Sequence, residues 1–297
     1  MPLNLSPLEL AEAAIWIAGT LVIATIAVRL CIRKTWRDAF RLPLDQRHHI
    51  QPTDILLALC VFLVLPSLFY SLLAPSAAST QTASPTSAPI FHTGTDPWRV
   101  LATAAAQVTA AVVFVLIGRT RFQQGLAGWG LSGRRFGANA IRAIVAYVAL
   151  WPVCSGLLLL TTWLLSFVPG YVPIEHDALL ALHDPANPTW VVILIVISAV
   201  VLAPIVEELL FRGLIQPALA QRMESPWGAV CLTGLAFGII HVPLYQTVPA
   251  LILFGIILGY AYAKTQSLSL VILIHAIFNA KTILWSLLGP AVGRLHQ

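Results

Sequence analysis

From Thr189 to Arg212 the chain reads TWVVILIVISAVVLAPIVEELLFR, with no charged residue before Glu207. A helix rises 1.5 Å per residue, so a hydrocarbon core of about 30 Å takes roughly 20 apolar residues to cross. This stretch has the length and the composition for that. Lipid offers no partners to backbone N–H and C=O groups, which leaves a spanning segment to be a helix or part of a closed barrel. The run is continuous rather than alternating in segments of about ten residues, which excludes the barrel. The whole chain agrees. Its 297 residues are 58% hydrophobic and 10% charged, with a mean hydropathy of +0.85, and a soluble domain of that composition would expose large apolar patches. The expected fold class is all-α, a polytopic integral membrane protein.

Outward from that stretch, eight segments are candidate spans: 13–32, 55–74, 100–118, 143–168, 189–211, 227–241, 247–263 and 268–288. The sixth and seventh are short and joined across Pro243, so they are expected to tilt or to cross only partly. The organisation expected is a variable set of helices and loops over 1–142, followed by a core over 143–290.

Net charge is +5, but the basic residues gather in two short loops, which marks a cytoplasmic face rather than a nucleic-acid surface. Arg29, Arg33, Lys34 and Arg37 follow the first span and Arg41 and Arg47 continue its loop; Arg119, Arg121, Arg134, Arg135 and Arg142 form the second cluster. Glu9 and Glu12 precede the first span, so it reads as a retained anchor with its N-terminus outside rather than a signal peptide. The uncharged stretch Pro75–Pro89 and the acidic stretch Pro169–Pro188, with Glu175, Asp177 and Asp184, read as outer loops, and both termini fall outside. The protein is expected to be multi-pass, in the plasma membrane if the cell is bacterial. Cys31, Cys60, Cys154 and Cys231 lie singly in apolar surroundings and read as small packing residues rather than ligands or a disulfide.

Glu207 and Glu208 are the exception to this apolar pattern. A charged group within a span costs about 2.5 to 3.5 kcal/mol even on the lenient insertion scale. Glu208 and Arg212 are four apart and share a helix face, while Glu207 points about 100° away. Pro204 withholds a hydrogen bond from the carbonyl of Val200 and is expected to bend the helix. His241 ends the sixth segment with Phe237 one turn before it, and His275 lies in the eighth with Asn279 one turn after. Taken alone, each is an ordinary helix-to-helix hydrogen-bonding or packing residue. Together they bring an acid pair, two imidazoles and an amide from three helices toward one site.

The three groups, Glu207-Glu208-Leu-Leu-Phe-Arg212, Phe237-Gly-Ile-Ile-His241 and His275-Ala-Ile-Phe-Asn279, resemble in order and type the EExxxR, FxxxH and HxxxN motifs of the CPBP family, the CAAX-processing and bacteriocin-processing intramembrane proteases also called Abi proteins. The resemblance covers about residues 190–285. Gly128-Trp-Gly-Leu131 is similar to a short cytoplasmic lead-in often seen in that family. The resemblance implies peptide-bond hydrolysis in a membrane cavity open to the cytoplasm. In a low-dielectric pocket a carboxylate holds a proton more tightly than in water, which suits a general base. Glu207 would then deprotonate the attacking water, His241 would help position it, and His275 with Asn279 would donate to the oxyanion. Glu208 and Arg212 would hold Glu207 in place, with Phe237 packed beside the His241 ring. A rival route uses a divalent metal such as zinc on Glu207, His241 and His275; there is no HExxH, and the metal-free route, which needs no cofactor, is favoured. The partners expected are membrane lipid and a hydrophobic or membrane-tethered peptide, with no nucleic acid. Prenylated CAAX tails, bacteriocin leaders and signalling-peptide precursors are all compatible substrates. Two other classes stay open: a proton-coupled transporter, and a catalytically silent scaffold or peptide receptor.

Overall fold

The structure, a computed structural model, describes residues 6–43, 48–74, 96–131 and 136–295. Arg47, the stretch 75–89, Arg134 and Arg135 lie outside the described residues. The elements in chain order are α1 (Pro7–Arg33), α2 (Trp36–Phe40), α3 (Pro52–Leu73), α4 (Pro97–Arg121), α5 (Gly125–Gly128), α6 (Phe136–Leu165) and α7 (Asp177–His183). Then come α8 (Thr189–Ile197), α9 (Ala203–Glu208), α10 (Gln216–Met223), α11 (Pro226–Ile239), α12 (Val248–Thr265) and α13 (Leu268–Leu295). Among the described residues there is no strand, only an isolated bridge between His48 and Phe122. The protein is an all-α polytopic membrane protein.

Among the described residues seven helices are long and apolar enough to cross a membrane, and Thr189–Met223 is one continuous 35-residue rod made of α8, α9 and α10. The eighth segment, α11, has 14 residues and reaches about 21 Å, short of the hydrocarbon thickness. The helices overrun the apolar segments because hydropathy locates a span while caps end it. Proline opens α1, α3, α4 and α11, where its missing N–H costs nothing. Ser6 caps α1 in a reciprocal box with Glu9. The acidic stretch read as a plain loop contains α7, capped by the His176 side chain on the N–H of Ala178.

The packing has two notable contacts. α11 and α12 meet through Gly234, Gly238 and Gly255, where a Cβ would lie 2.6, 2.3 and 2.9 Å from the facing helix, the close approach that small residues at a four-residue spacing allow. α1 docks on α6 and α13 through a partly buried pair across the fold. Lys281 Nζ lies 2.8 Å from Glu12 Oε2 and 3.4 Å from the Trp151 ring centre, while Trp151 Nε1 donates to Glu12 Oε1. The lead-in folds inward: Trp129 is fully buried, lies against Gly118 and Gly213, and donates to the Gly213 carbonyl at 2.8 Å.

Candidate active site

The rod that carries the acid pair is not a uniform α-helix. π-helical turns at Ser198–Leu202 and Leu209–Ile215 flank the six residues of α9. In the first, the Ala203 N–H reaches back five residues to the Ser198 carbonyl. The Ala199 carbonyl would take the next bond from residue 204, but that is Pro204, which has no N–H. Asn279 fills the vacancy, its Nδ2 donating to the Ala199 carbonyl at 2.8 Å. The bend expected at Pro204 is thus a register change just upstream of it, and π-turns recur at functional sites.

Glu208 is the hub. Its Oε1 accepts from Arg212 Nη1 at 2.7 Å and from His275 Nδ1 at 2.8 Å, and both Glu208 and Arg212 are wholly buried. Arg212 also donates through Nη2 to the Gly255 carbonyl at 2.9 Å and stacks its guanidinium 4.8 Å from the Phe237 ring centre. That ring packs edge-on to His275, with centroids 5.6 Å apart, and against His241 at 5.2 Å. One phenyl ring therefore touches the arginine and both imidazoles. A buried ion pair needs its remaining donors satisfied to be tolerable: the Gly255 carbonyl takes the second arm of Arg212, while Arg212 Nε and Glu208 Oε2 are buried with no hydrogen-bond partner.

The two histidines have fixed tautomers. His275 gives Nδ1–H to Glu208, so Nε2 faces Glu207, 3.9 Å from its Oε2. His241 Nδ1 lies 2.8 Å from the Phe237 carbonyl; a carbonyl only accepts, so Nδ1 carries the proton and Nε2 is left as an acceptor. The Glu207 side chain is 16% exposed while that of Glu208 is not exposed at all. The 3.9 Å gap is too wide for a direct hydrogen bond, yet one water can touch both groups at about 2.8 Å.

The structure brings together Glu207, Glu208, Arg212, Phe237 and His275, with His241 against the Phe237 ring and Asn279 one turn along from His275. No group of three His, Cys, Asp or Glu side chains among the described residues is gathered closely enough to hold a metal ion. Of the set Glu207, His241 and His275, His275 holds Glu208 through Nδ1 and faces Glu207 through Nε2. Two contributors went unread in the sequence, Gly255 and the Ala199 carbonyl, and Trp129 was read only as part of the lead-in. The GxxxG spacings Gly234–Gly238 and Gly255–Gly259 were the available signal for the first.

Fold and site define an integral membrane protein with a cluster of carboxylate, imidazole and amide groups embedded among its helices. Residues 188–281 match the family described as type II CAAX prenyl endopeptidase Rce1-like, a match over less than half of the chain that supports the resemblance to the CAAX-processing intramembrane proteases. Every motif residue from Glu207 to Asn279 lies inside the match. No curated protein and no solved structure matches the chain.

Proposed function

We propose that this protein is an intramembrane endopeptidase that cleaves a membrane-associated peptide with a Glu207-activated water. The observation that carries the reading is the shared oxygen of Glu208, which clamps Arg212 and His275 at once and turns His275 Nε2 toward the more exposed Glu207. A base must lie within reach of the proton it removes, and the water that spans Glu207 and His275 meets that condition.

Glu207 takes a proton from that water, and the resulting hydroxide attacks the peptide carbonyl carbon. His241, with Nε2 free to accept, orients the water's second hydrogen. Charge develops on the carbonyl oxygen, where His275 donates through Nε2 once the ring is the imidazolium, with Nδ1–H still held by Glu208; Asn279 offers its second amide hydrogen, the first being held by the Ala199 carbonyl. As the intermediate collapses and the C–N bond breaks, Glu207 returns its proton to the leaving nitrogen. Losing one oxyanion donor typically lowers kcat by about 100-fold or more. No step passes through a metal.

The test is cleavage of a quenched hydrophobic peptide library by detergent-purified protein, with Glu207→Ala and His275→Ala beside the unaltered chain, with and without phenanthroline. Loss of cleavage in both variants with chelator resistance is expected. Equal cleavage by all three proteins overturns the site, and chelator sensitivity reversed by added metal overturns the metal-free route.

A further inference from the structure

The helix α2 has five residues, too few to be stable alone, and its backbone is held from outside. Lys264 donates to the carbonyls of Asp38 and Arg41, Tyr260 to that of Ala39, and Trp227 to that of Phe40. Four consecutive carbonyls at the end of α2, groups that a helix terminus leaves without partners, are thus taken by side chains of α11 and α12. The side chains of α2 are left on the surface. Trp36 and Phe40 are 52% and 57% exposed, and the Arg37 guanidinium lies 5.5 Å from the Trp36 ring centre.

Level and charge say what faces this surface. The spanning helix α1 ends at Arg33, just before α2, and the spanning helix α12 ends at Thr265, next to Lys264. The pinned helix therefore lies where hydrocarbon gives way to headgroups, the depth at which Trp and Tyr collect; Phe40 packs on Trp227, which stacks on Tyr260. Arg33, Lys34, Arg37, Arg41 and Lys264 are five cations in or beside it, against the single carboxylate of Asp38. Among the described residues none of the five belongs to an ion pair, and the partners of Lys264 are neutral carbonyls that leave its charge in place. Asp38, Arg41, Leu42, Pro43 and Lys264 line an open cleft of about 450 Å³, within the range of about 300 to 1,000 Å³ usual for small-molecule sites.

We infer that α2 and the cleft beside it form a binding site for the headgroup of an anionic phospholipid in the leaflet at the basic face, with the phosphodiester taken by Arg41 and Lys264 and with Trp36 and Phe40 seated among the neighbouring headgroups. A guanidinium offers paired donors to a phosphate and an ammonium a point charge, and the cleft presents one of each. A zwitterionic headgroup brings its own cation and leaves the excess positive charge uncompensated, so the site selects for net negative charge. Asp38 limits the affinity from within the cleft. The inference does not depend on the proteolytic reading.

The full chain in detergent is titrated with phosphatidylglycerol and with phosphatidylcholine, and bound lipid is counted by native mass spectrometry. Tighter binding of phosphatidylglycerol is expected. A cation near an anionic lipid surface is worth about fivefold in affinity, so Arg37→Gln combined with Arg41→Gln should weaken phosphatidylglycerol binding by about 25-fold. Asp38→Asn should strengthen it, and Arg119→Gln, at the end of α4 in the other basic cluster, should leave it unchanged. Arg37 and Arg41 are exposed, and Asp38→Asn keeps the test decisive if the double variant is destabilised. Equal affinity for the two lipids overturns the inference, as does an equal loss in Arg119→Gln, which would reduce the effect to bulk charge. Displacement of the lipid by millimolar inorganic phosphate overturns it in favour of a soluble anion.

Discussion

Removing Arg212 should be the most costly single change at the site, and its cost can be worked from the contacts. Deleting one partner of a buried ion pair typically destabilises by about 3 to 5 kcal/mol. Here Glu208 keeps His275 on the same oxygen, which argues for the lower bound of about 3 kcal/mol. The Gly255 carbonyl loses its donor as well, adding about 1 kcal/mol for an orphaned acceptor. Arg212→Leu should therefore lose about 4 kcal/mol, and at about 2 °C per kcal/mol for a chain of this size its Tm should fall by about 8 °C. Tryptophan fluorescence during heating in detergent is the assay, because Trp129 bonds to the residue next to Arg212. In the double variant Glu208→Met with Arg212→Leu, apolar groups replace the whole pair, an exchange that is often neutral. The double variant should regain most of the lost Tm, yet stay inactive because His275 has lost its acceptor. An Arg212→Leu protein as stable as the unaltered chain, or a double variant less stable than either single one, would refute the reasoning.

Three further outcomes are expected. Glu207→Gln should retain the Tm and lose peptide hydrolysis by about 100-fold or more, the usual worth of a positioned base, as read by kcat in the quenched-peptide assay. Gly238→Ala places a methyl 2.3 Å from Ile252 and should cost about 1 to 3 kcal/mol through overpacking, whereas Gly289→Ala, with open space around it, should gain a few tenths through helix propensity; thermal melts of the two separate crowding from a general intolerance of glycine replacement. Asn279→Leu orphans the Ala199 carbonyl at about 1 to 3 kcal/mol, and Pro204→Ala, which restores an N–H in reach of that carbonyl, should rescue its stability without rescuing its activity.

The fold class was legible because hydropathy is a bulk property of each segment. The motif residues stood out because ionisable groups within spans are rare. What the residues did not disclose was geometry that depends on a distant partner. Nothing near Glu12 announces Lys281, 269 positions away, and neither residue alone says which charge would be neutralised. Asn279 suggested a catalytic amide, but half of its donor capacity is taken by a carbonyl whose vacancy follows from a π-turn that composition does not encode. The α7 helix escaped notice because its seven residues are too short for periodicity to show.

The two π-turns around α9 make the phase of the rod as consequential as its content. A single-residue deletion within Ser198–Leu202 would leave the segment as oily, as long and as insertable as before. Every side chain beyond it would nonetheless be swung by about 100° around the axis, and Glu207 and Glu208 would trade their partners for lipid. Variation in this span is thus constrained by frame rather than by hydrophobicity: substitutions among aliphatic residues are cheap, while a lost or gained residue is ruinous. Gene-level surveys that score membrane segments on hydropathy alone would pass such a deletion as silent.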